Sequence, residues 1–91
     1  MKATASDKKY YFAMRDEIHA YYLKIGSEVS KEGLHEFLKL YADLEGASLE
    51  TITSDELQQL KEWTKQFALE HCGIDFDLDD GTQFRDDFYH S

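Results

Sequence analysis

The sequence predicts an all-α fold, a compact three-helix bundle followed by an acidic, aromatic C-terminal tail. The chain has no proline and only five glycines, and three of its segments repeat apolar residues at helical spacing. We place the helices at about 7–25, 31–44 and 54–72, within a bundle over 1–74 and before a tail over 75–91. The length of 91 residues fits one domain with a modest core.

The third helix carries the clearest boundary signals. Thr53 and Glu56 are spaced for a capping box, and Ile52 and Leu57 for a hydrophobic staple. Gly73 is placed to take a left-handed conformation just past the helix end. The predicted buried stripe consists of Leu57, Leu60, Trp63 or Thr64, Phe67 and Ala68.

The first two helices have similar signals. Ser6 or Asp7 can cap the first helix, and Gly26 ends it, while the polar residues before it are expected to fray. Ser30 is placed to cap the second helix, and Gly46 to close it. The predicted buried stripes are Tyr11, Met14, Ile18, Tyr21 or Tyr22 and Ile25 in the first helix, and Leu34, Phe37, Leu38, Tyr41 and Leu44 in the second.

The tail has a different pattern from the bundle. Acids and apolar residues alternate from Asp75 to Asp79, and Phe84 and Phe88 stand four residues apart, as on a short fourth helix. The tail therefore either folds back on the bundle or becomes ordered on a partner.

The formal net charge is −9, and about half of it lies in the tail. Residues 75–91 contain six aspartates and one arginine, a net of −5, which leaves −4 for residues 1–74. Nucleic-acid backbones are bound by basic side chains, so this balance disfavours direct DNA binding and favours a protein partner with a basic surface. An alternative is that the acidity only maintains solubility.

We predict no catalytic residues, no metal site and no cofactor. The loop from Asp75 to Asp86 places acids at the first, third and fifth positions of a calcium loop, but Asp80 stands where that loop needs glycine. His35 lacks the second histidine of a zinc-protease helix, and Cys72 is interpreted as a small apolar filler. No signal peptide or membrane-length apolar run is apparent, so we expect a cytoplasmic protein.

The run from His35 to Ile74 resembles the C-terminal helical part of NinB-type phage recombination proteins. The shared pattern is a helix and a short linker, then a turn rich in serine and threonine, an acidic cap and a glycine-isoleucine ending. The matching positions are Ser48, Thr53, Glu56, Phe67, Ala68, Glu70, Gly73 and Ile74. The resemblance implies a phage or prophage protein linked to recombination on single-stranded DNA. The family's basic N-terminal portion has no counterpart here, so no DNA-contacting residue is transferred.

These observations together predict a non-enzymatic protein-interaction module, in which tail acids steer a basic partner and aromatic rings anchor it. The alternatives are an acidic DNA mimic that inhibits a host nuclease or defence complex, and a single-stranded-DNA-binding protein. A homodimer with Trp63, Tyr10 or Tyr22 in its interface is a further possibility. The predicted contact residues are Asp75, Phe76, Asp77, Asp79, Asp80, Phe84, Asp86, Asp87, Phe88 and Tyr89.

Overall fold

The protein folds as the predicted all-α bundle of three helices. The computed structural model describes residues 2–77 and 82–83. The helices are α1 (Ala5–Lys24), α2 (Lys31–Tyr41) and α3 (Ser54–Phe67), and a π-helical turn (Ala68–Cys72) extends α3 directly. The two short strands are β1 (Phe76–Asp77) and β2 (Thr82–Gln83), which pair antiparallel.

The core lies where the apolar stripes of the three helices meet. Buried side chains recur every three or four residues along each helix, as the periodicity predicted. Burying one such large apolar side chain contributes about 1.5–3 kcal/mol. Of the two alternatives in α3, Thr64 is buried and Trp63 is 43% exposed. The stripe assignments of Phe37 and Ile25 are wrong, since these side chains are 48% and 59% exposed. The buried helical residues include Tyr11, Met14, Ile18, Leu34, Leu38, Leu57, Leu60 and Phe67.

The first helix begins earlier than the sequence predicted. The Thr4 side chain accepts from the Asp7 N–H at 3.1 Å, and the Asp7 carboxylate accepts from the Thr4 N–H at 3.4 Å. This capping box makes Thr4 the N-cap, so the prediction of Ser6 or Asp7 is wrong. The preceding residue is also held, because the Ala3 N–H donates to the Ile52 carbonyl at 3.0 Å. The expected fraying is therefore wrong for the described part of this segment.

The second helix ends at Tyr41, three residues before the predicted end. Asp43 adopts a left-handed conformation with φ of 62°. The Leu44 N–H donates to the Lys39 carbonyl at 2.7 Å, and the Asp43 N–H to the Leu40 carbonyl at 3.0 Å. This pair of bonds is a Schellman motif, which satisfies the last carbonyls and reverses the chain. The predicted role of closing α2 thus belongs to an aspartate, which the sequence pattern did not indicate.

Two long polar side chains fix the connector between α2 and α3. Lys39 is 7% exposed, and its ammonium donates to the Ala47 carbonyl at 2.7 Å. Gln59 of α3 donates to the Ala42 carbonyl at 2.6 Å. These bonds hold the end of α2 beside the first turns of α3.

The third helix begins and ends with the predicted local structures. The Thr53 hydroxyl accepts from the Glu56 N–H at 3.1 Å, and the Glu56 carboxylate accepts from the Thr53 N–H at 3.0 Å. After the π-helical turn, Gly73 adopts φ of 68°, and the Ile74 N–H donates to the Ala68 carbonyl at 3.1 Å. The predicted capping box and left-handed glycine are both confirmed.

The start of the tail packs on the bundle. Phe76 of the tail is 5% exposed and belongs to the hydrophobic core, together with Ile74 at the end of the predicted bundle. Phe76 pairs with Gln83 across the two strands, and β2 lies against α1. The short helix predicted around Phe84 and Phe88 lies outside the described residues. The division of the chain after Ile74 stays a prediction.

A partly buried hydrogen bond joins α1 to α2. The Tyr11 hydroxyl lies 2.6 Å from His35 Nδ1, and Tyr11 is fully buried. Burial raises the pKa of the Tyr11 phenol. Burial also lowers the pKa of His35 from its ordinary 6.5, and the nearby Lys39 charge adds to that effect. The neutral imidazole is therefore the form that the fold favours.

We expect Asp43→Gly to raise the free energy of unfolding by about 0.5–1 kcal/mol, because glycine adopts the left-handed conformation without steric cost. Urea denaturation would measure the change. Asp43→Ala is the matched control, since alanine keeps the Cβ atom and should give no gain. Equal stability of the two variants would contradict this explanation.

We expect the protein to lose stability as the pH falls from 6.5 to about 5, because His35 then binds a proton more readily in the unfolded chain. The contribution of a neutral His35 is present above the ordinary pKa and is lost below it. His35→Gln should show a shallower decline of the free energy of unfolding over this window. An unchanged pH dependence in the variant would refute the role of His35.

Candidate functional site

The predicted contact residues are only partly covered by the structure. Asp75 is exposed, the ring of Phe76 is packed into the core, and Asp77 lies in β1. An outward contact by the Phe76 ring would require the core to open. The remaining predicted positions lie outside the described residues: Asp79, Asp80, Phe84, Asp86, Asp87, Phe88 and Tyr89.

A row of aromatic rings crosses α2, α3 and the π-helical turn. We call this row the aromatic strip, and its members are Phe37, Tyr41, Trp63, Phe67 and His71. The ring of Phe67 lies 5.6 Å from that of Phe37, 5.2 Å from that of Tyr41 and 4.7 Å from that of His71. The Trp63 ring lies 5.7 Å from the Tyr41 ring. The rings therefore form one connected surface.

The strip arises from helical spacing on two packed helices. Phe37 and Tyr41 are four residues apart on α2, and Trp63 and Phe67 are four apart on α3, so each pair shares a face. Phe67 is 4% exposed and anchors the strip, while Phe37 and Trp63 are 48% and 43% exposed. Large apolar side chains that stay half exposed in one patch are typical of binding surfaces.

One end of the strip borders an apolar cavity of about 250 Å³ that is open to solvent. This volume exceeds the roughly 150 Å³ of an engineered cavity that binds benzene. The cavity can therefore accept a large apolar side chain. Its lining residues are Tyr22, Ser27, Val29, Leu34, Phe37 and Phe67.

The other end of the strip borders a shallow polar cleft of about 460 Å³ that is open to solvent. Tyr41 and Trp63 form its aromatic walls, and Glu62, Gln66 and Glu70 line the rest. We call this feature the acidic cleft. The three polar residues stand four apart, so they follow one another along a single helical face.

Hydrogen bonds hold Glu70 in its charged form. Gln66 Nε2 donates to one carboxylate oxygen at 2.6 Å, and the Tyr41 hydroxyl donates to the other at 3.1 Å. The Gln66 bond and then the Tyr41 bond lower the pKa of Glu70, because both favour the carboxylate. Burial, followed by the bond to Glu70, raises the pKa of Tyr41. The cleft thus carries a fixed negative charge at neutral pH.

Cys72 and His19 lie outside the strip, and their surroundings indicate structural rather than catalytic roles. Burial raises the pKa of the Cys72 thiol, which disfavours the nucleophilic thiolate. His19 Nε2 lies 2.9 Å from the Val29 carbonyl oxygen. Among residues 2–77 and 82–83, no group of three or more His, Cys, Asp or Glu side chains is arranged to hold a metal ion. Most of the calcium-like loop lies outside that part of the chain.

No helix in the described part of the chain is long and apolar enough to span a membrane. Comparisons with known protein families, with curated proteins and with solved structures found no match to this chain. The resemblance to NinB-type proteins therefore stays a prediction.

Phe37, Tyr41 and Phe67 were expected in buried stripes, with Trp63 as an alternative position, and the strip was not predicted as a binding surface. All of the α2 stripe positions were expected in the core, but only the packing of α2 shows that Leu34 and Leu38 are buried while Phe37 is exposed and Tyr41 is partly buried. The i, i+4 spacing of Glu62, Gln66 and Glu70 is a local signal that could have indicated a shared polar face, but it was not used. The closeness of these residues to Tyr41 depends on the contact between α2 and α3.

We expect Gln66→Leu to raise the pKa of Glu70 more than Tyr41→Phe does, because the Gln66 bond is the larger cause of the shift. Carboxyl-carbon NMR titration would measure both changes. Gln58→Leu, which removes the 3.2 Å bond to Glu62 instead, is the matched control and should leave Glu70 unchanged. The reverse order of the two effects would contradict the assignment.

Proposed function

We propose that this protein is a non-enzymatic protein-interaction module whose aromatic strip docks a basic, partly apolar segment of a partner protein. The observation that carries the proposal is the strip itself, with half-exposed Phe37 and Trp63 on two packed helices. As the NinB resemblance implies, the partner would belong to DNA recombination in a phage or prophage. The protein would then act in the host cytoplasm.

The composition and packing of the strip support protein binding. Aromatic side chains are enriched among residues that dominate binding energy, especially where a pocket lies beside them. Contacts with Phe67 and Tyr41 already restrict the rings of Phe37 and Trp63. Less side-chain entropy is therefore lost on docking than for freely rotating residues.

The charge distribution supports a basic partner. The chain carries a net charge of −9, and Glu62 and Glu70 line the acidic cleft beside the strip. These charges accelerate the encounter with a basic surface and disfavour acidic competitors. The predicted tail contacts, among them Asp75, would extend the same field.

Direct binding of single-stranded DNA is the competing use of exposed rings. Bases stack on aromatic side chains, but known sites of this kind combine the rings with a positively charged groove. The carboxylates of Glu62 and Glu70 would instead repel phosphates. This contrast favours a protein partner over a nucleic acid.

We expect Phe37→Ser to weaken partner binding by about thirtyfold, the effect of losing one dominant aromatic contact. A partner would be captured with the 91-residue chain from a lysate of the source cells, and calorimetry would then measure its affinity. Leu23→Ser is the matched control, because Leu23 is 52% exposed on α1 and lies outside the strip. Thermal melting would verify that both variants fold.

Equal binding by both variants would refute docking on the strip. Replacement of the six tail aspartates by asparagine tests the predicted tail contribution and should slow association with the partner. Tight binding of oligothymidylate at low salt, lost in Phe37→Ser, would replace the protein partner by single-stranded DNA.

A further inference from the structure

We infer that the acidic cleft binds the guanidinium group of an arginine in the partner's docking segment. The inference rests on the proposed function and specifies the partner's chemistry at one end of the strip. Its main support is that two aromatic rings and two carboxylates line a single cleft of about 460 Å³.

The aromatic walls provide faces on which a cation can stack. The rings of Tyr41 and Trp63 lie 5.7 Å apart and nearly perpendicular, at 81°. Trp63 is 43% exposed, so part of its ring remains open to a ligand. Tryptophan is the ring that attracts a cation most strongly, and arginine uses it more often than lysine does.

The carboxylates provide the complementary acceptors. Glu70 is oriented by Gln66 and Tyr41, and each of its oxygens accepts only one of these bonds, so lone pairs remain for an incoming donor. Glu62 receives a bond from Gln58 at 3.2 Å. Among the described residues, neither glutamate has a salt-bridge partner.

The combination of these groups fits arginine better than lysine. A guanidinium is planar, so it can stack on a ring while its edge donates two parallel bonds to a carboxylate. An ammonium group is a compact, strongly hydrated charge without a stacking face. The polar wall of the cleft also excludes a purely apolar side chain, because such a group would desolvate Glu70 without pairing it.

The strip sets the spacing of the partner's anchors. The Tyr41 ring lies 6.5 Å from the Phe37 ring and 5.7 Å from the Trp63 ring. The two ends of the strip are thus no more than about 12 Å apart, which about four residues of extended chain span. We therefore expect an arginine within about four residues of the apolar side chain that enters the cavity at Phe37.

The test is a titration of the 91-residue chain with N-acetyl-arginine methylamide at low salt. Trp63 is the only tryptophan, so its indole N–H signal in NMR spectra reports on the cleft without ambiguity. We expect a saturable shift of this signal. N-acetyl-citrulline methylamide has nearly the same shape without the charge, and it should give little or no shift.

Glu70→Gln should weaken binding of the arginine probe by about tenfold, as expected for a lost hydrogen bond to a charged group. Glu50→Gln changes the net charge equally at an exposed position in the connector and should change the affinity by less than about twofold. Equal effects of the two substitutions, or equal shifts with the citrulline probe, would overturn the inference.

The chain's own Arg85 is a second source of the same chemical group. If Arg85→Gln raised the affinity for the probe, Arg85 would be the occupant of the acidic cleft, and the assignment to a partner's arginine would be overturned. An unchanged affinity for the probe would support a partner's arginine as the occupant.

The captured partner separates this inference from the proposed function. If its binding is lost in Phe37→Ser but unchanged in Glu70→Gln, the strip docks the partner without an arginine in the cleft. If the arginine probe binds but Phe37→Ser leaves capture of the partner unchanged, arginine binding in the acidic cleft is supported and docking of the partner on the strip is refuted.

Discussion

The packing of Phe67 is the contact on which both the core and the candidate site depend. Its ring is 4% exposed and lies 6.4 Å from Tyr22 of α1, 5.6 Å from Phe37 and 5.2 Å from Tyr41 of α2. It also stacks against His71 of the π-helical turn at 4.7 Å. One buried side chain thus joins all three helices and supports the exposed rings from below. The same packing that stabilises the bundle therefore restricts the rings that are proposed to bind.

The π-helical turn that follows Phe67 brings the charged groups to the strip. Such turns insert an extra residue into a helix and occur frequently at functional sites. Here the turn extends to Cys72 and closes at Gly73, whose positive φ allows the chain to leave the helix. Glu70 lies within this turn and receives the Gln66 and Tyr41 hydrogen bonds. The irregular backbone of the π-helical turn and the hydrogen-bonded carboxylate of Glu70 thus occur in the same turn.

Local signals predicted much of the fold, and long-range packing decided the rest. The capping box of α3 and the left-handed Gly73 depend on residues a few positions apart, so the sequence contains their full cause. The exposure of Phe37 has no such local cause. Neighbouring apolar positions on α2 compete for the core, and the packing of the helices selects among them. Asp43 was missed for another reason. Glycine is the expected residue at a left-handed helix end, and Gly46 stood close enough to take that role in the prediction.

The candidate site was only partly visible for the same reason. The aromatic residues were interpreted as core positions, and the spacing of Glu62, Gln66 and Glu70 was not used. The cleft exists only where Tyr41 of α2 meets this face of α3. The sequence analysis selected the tail because its acids and aromatic residues lie close together along the chain. Carboxylates that meet rings through tertiary contacts leave no such local signal.

The two ends of the strip would favour opposite kinds of side chain in a partner, and this contrast would provide specificity. The cavity at Phe37 favours an apolar group, since its lining is largely hydrophobic. The acidic cleft disfavours the same group, because covering Glu70 without a donor would leave a charged carboxylate desolvated. For a nucleic acid the mismatch would be reversed, because its bases suit the rings but the glutamates would repel its phosphates. Under the proposed docking, a segment that pairs an apolar side chain with a nearby cation would satisfy both ends, and the carboxylates would select by exclusion as well as by attraction.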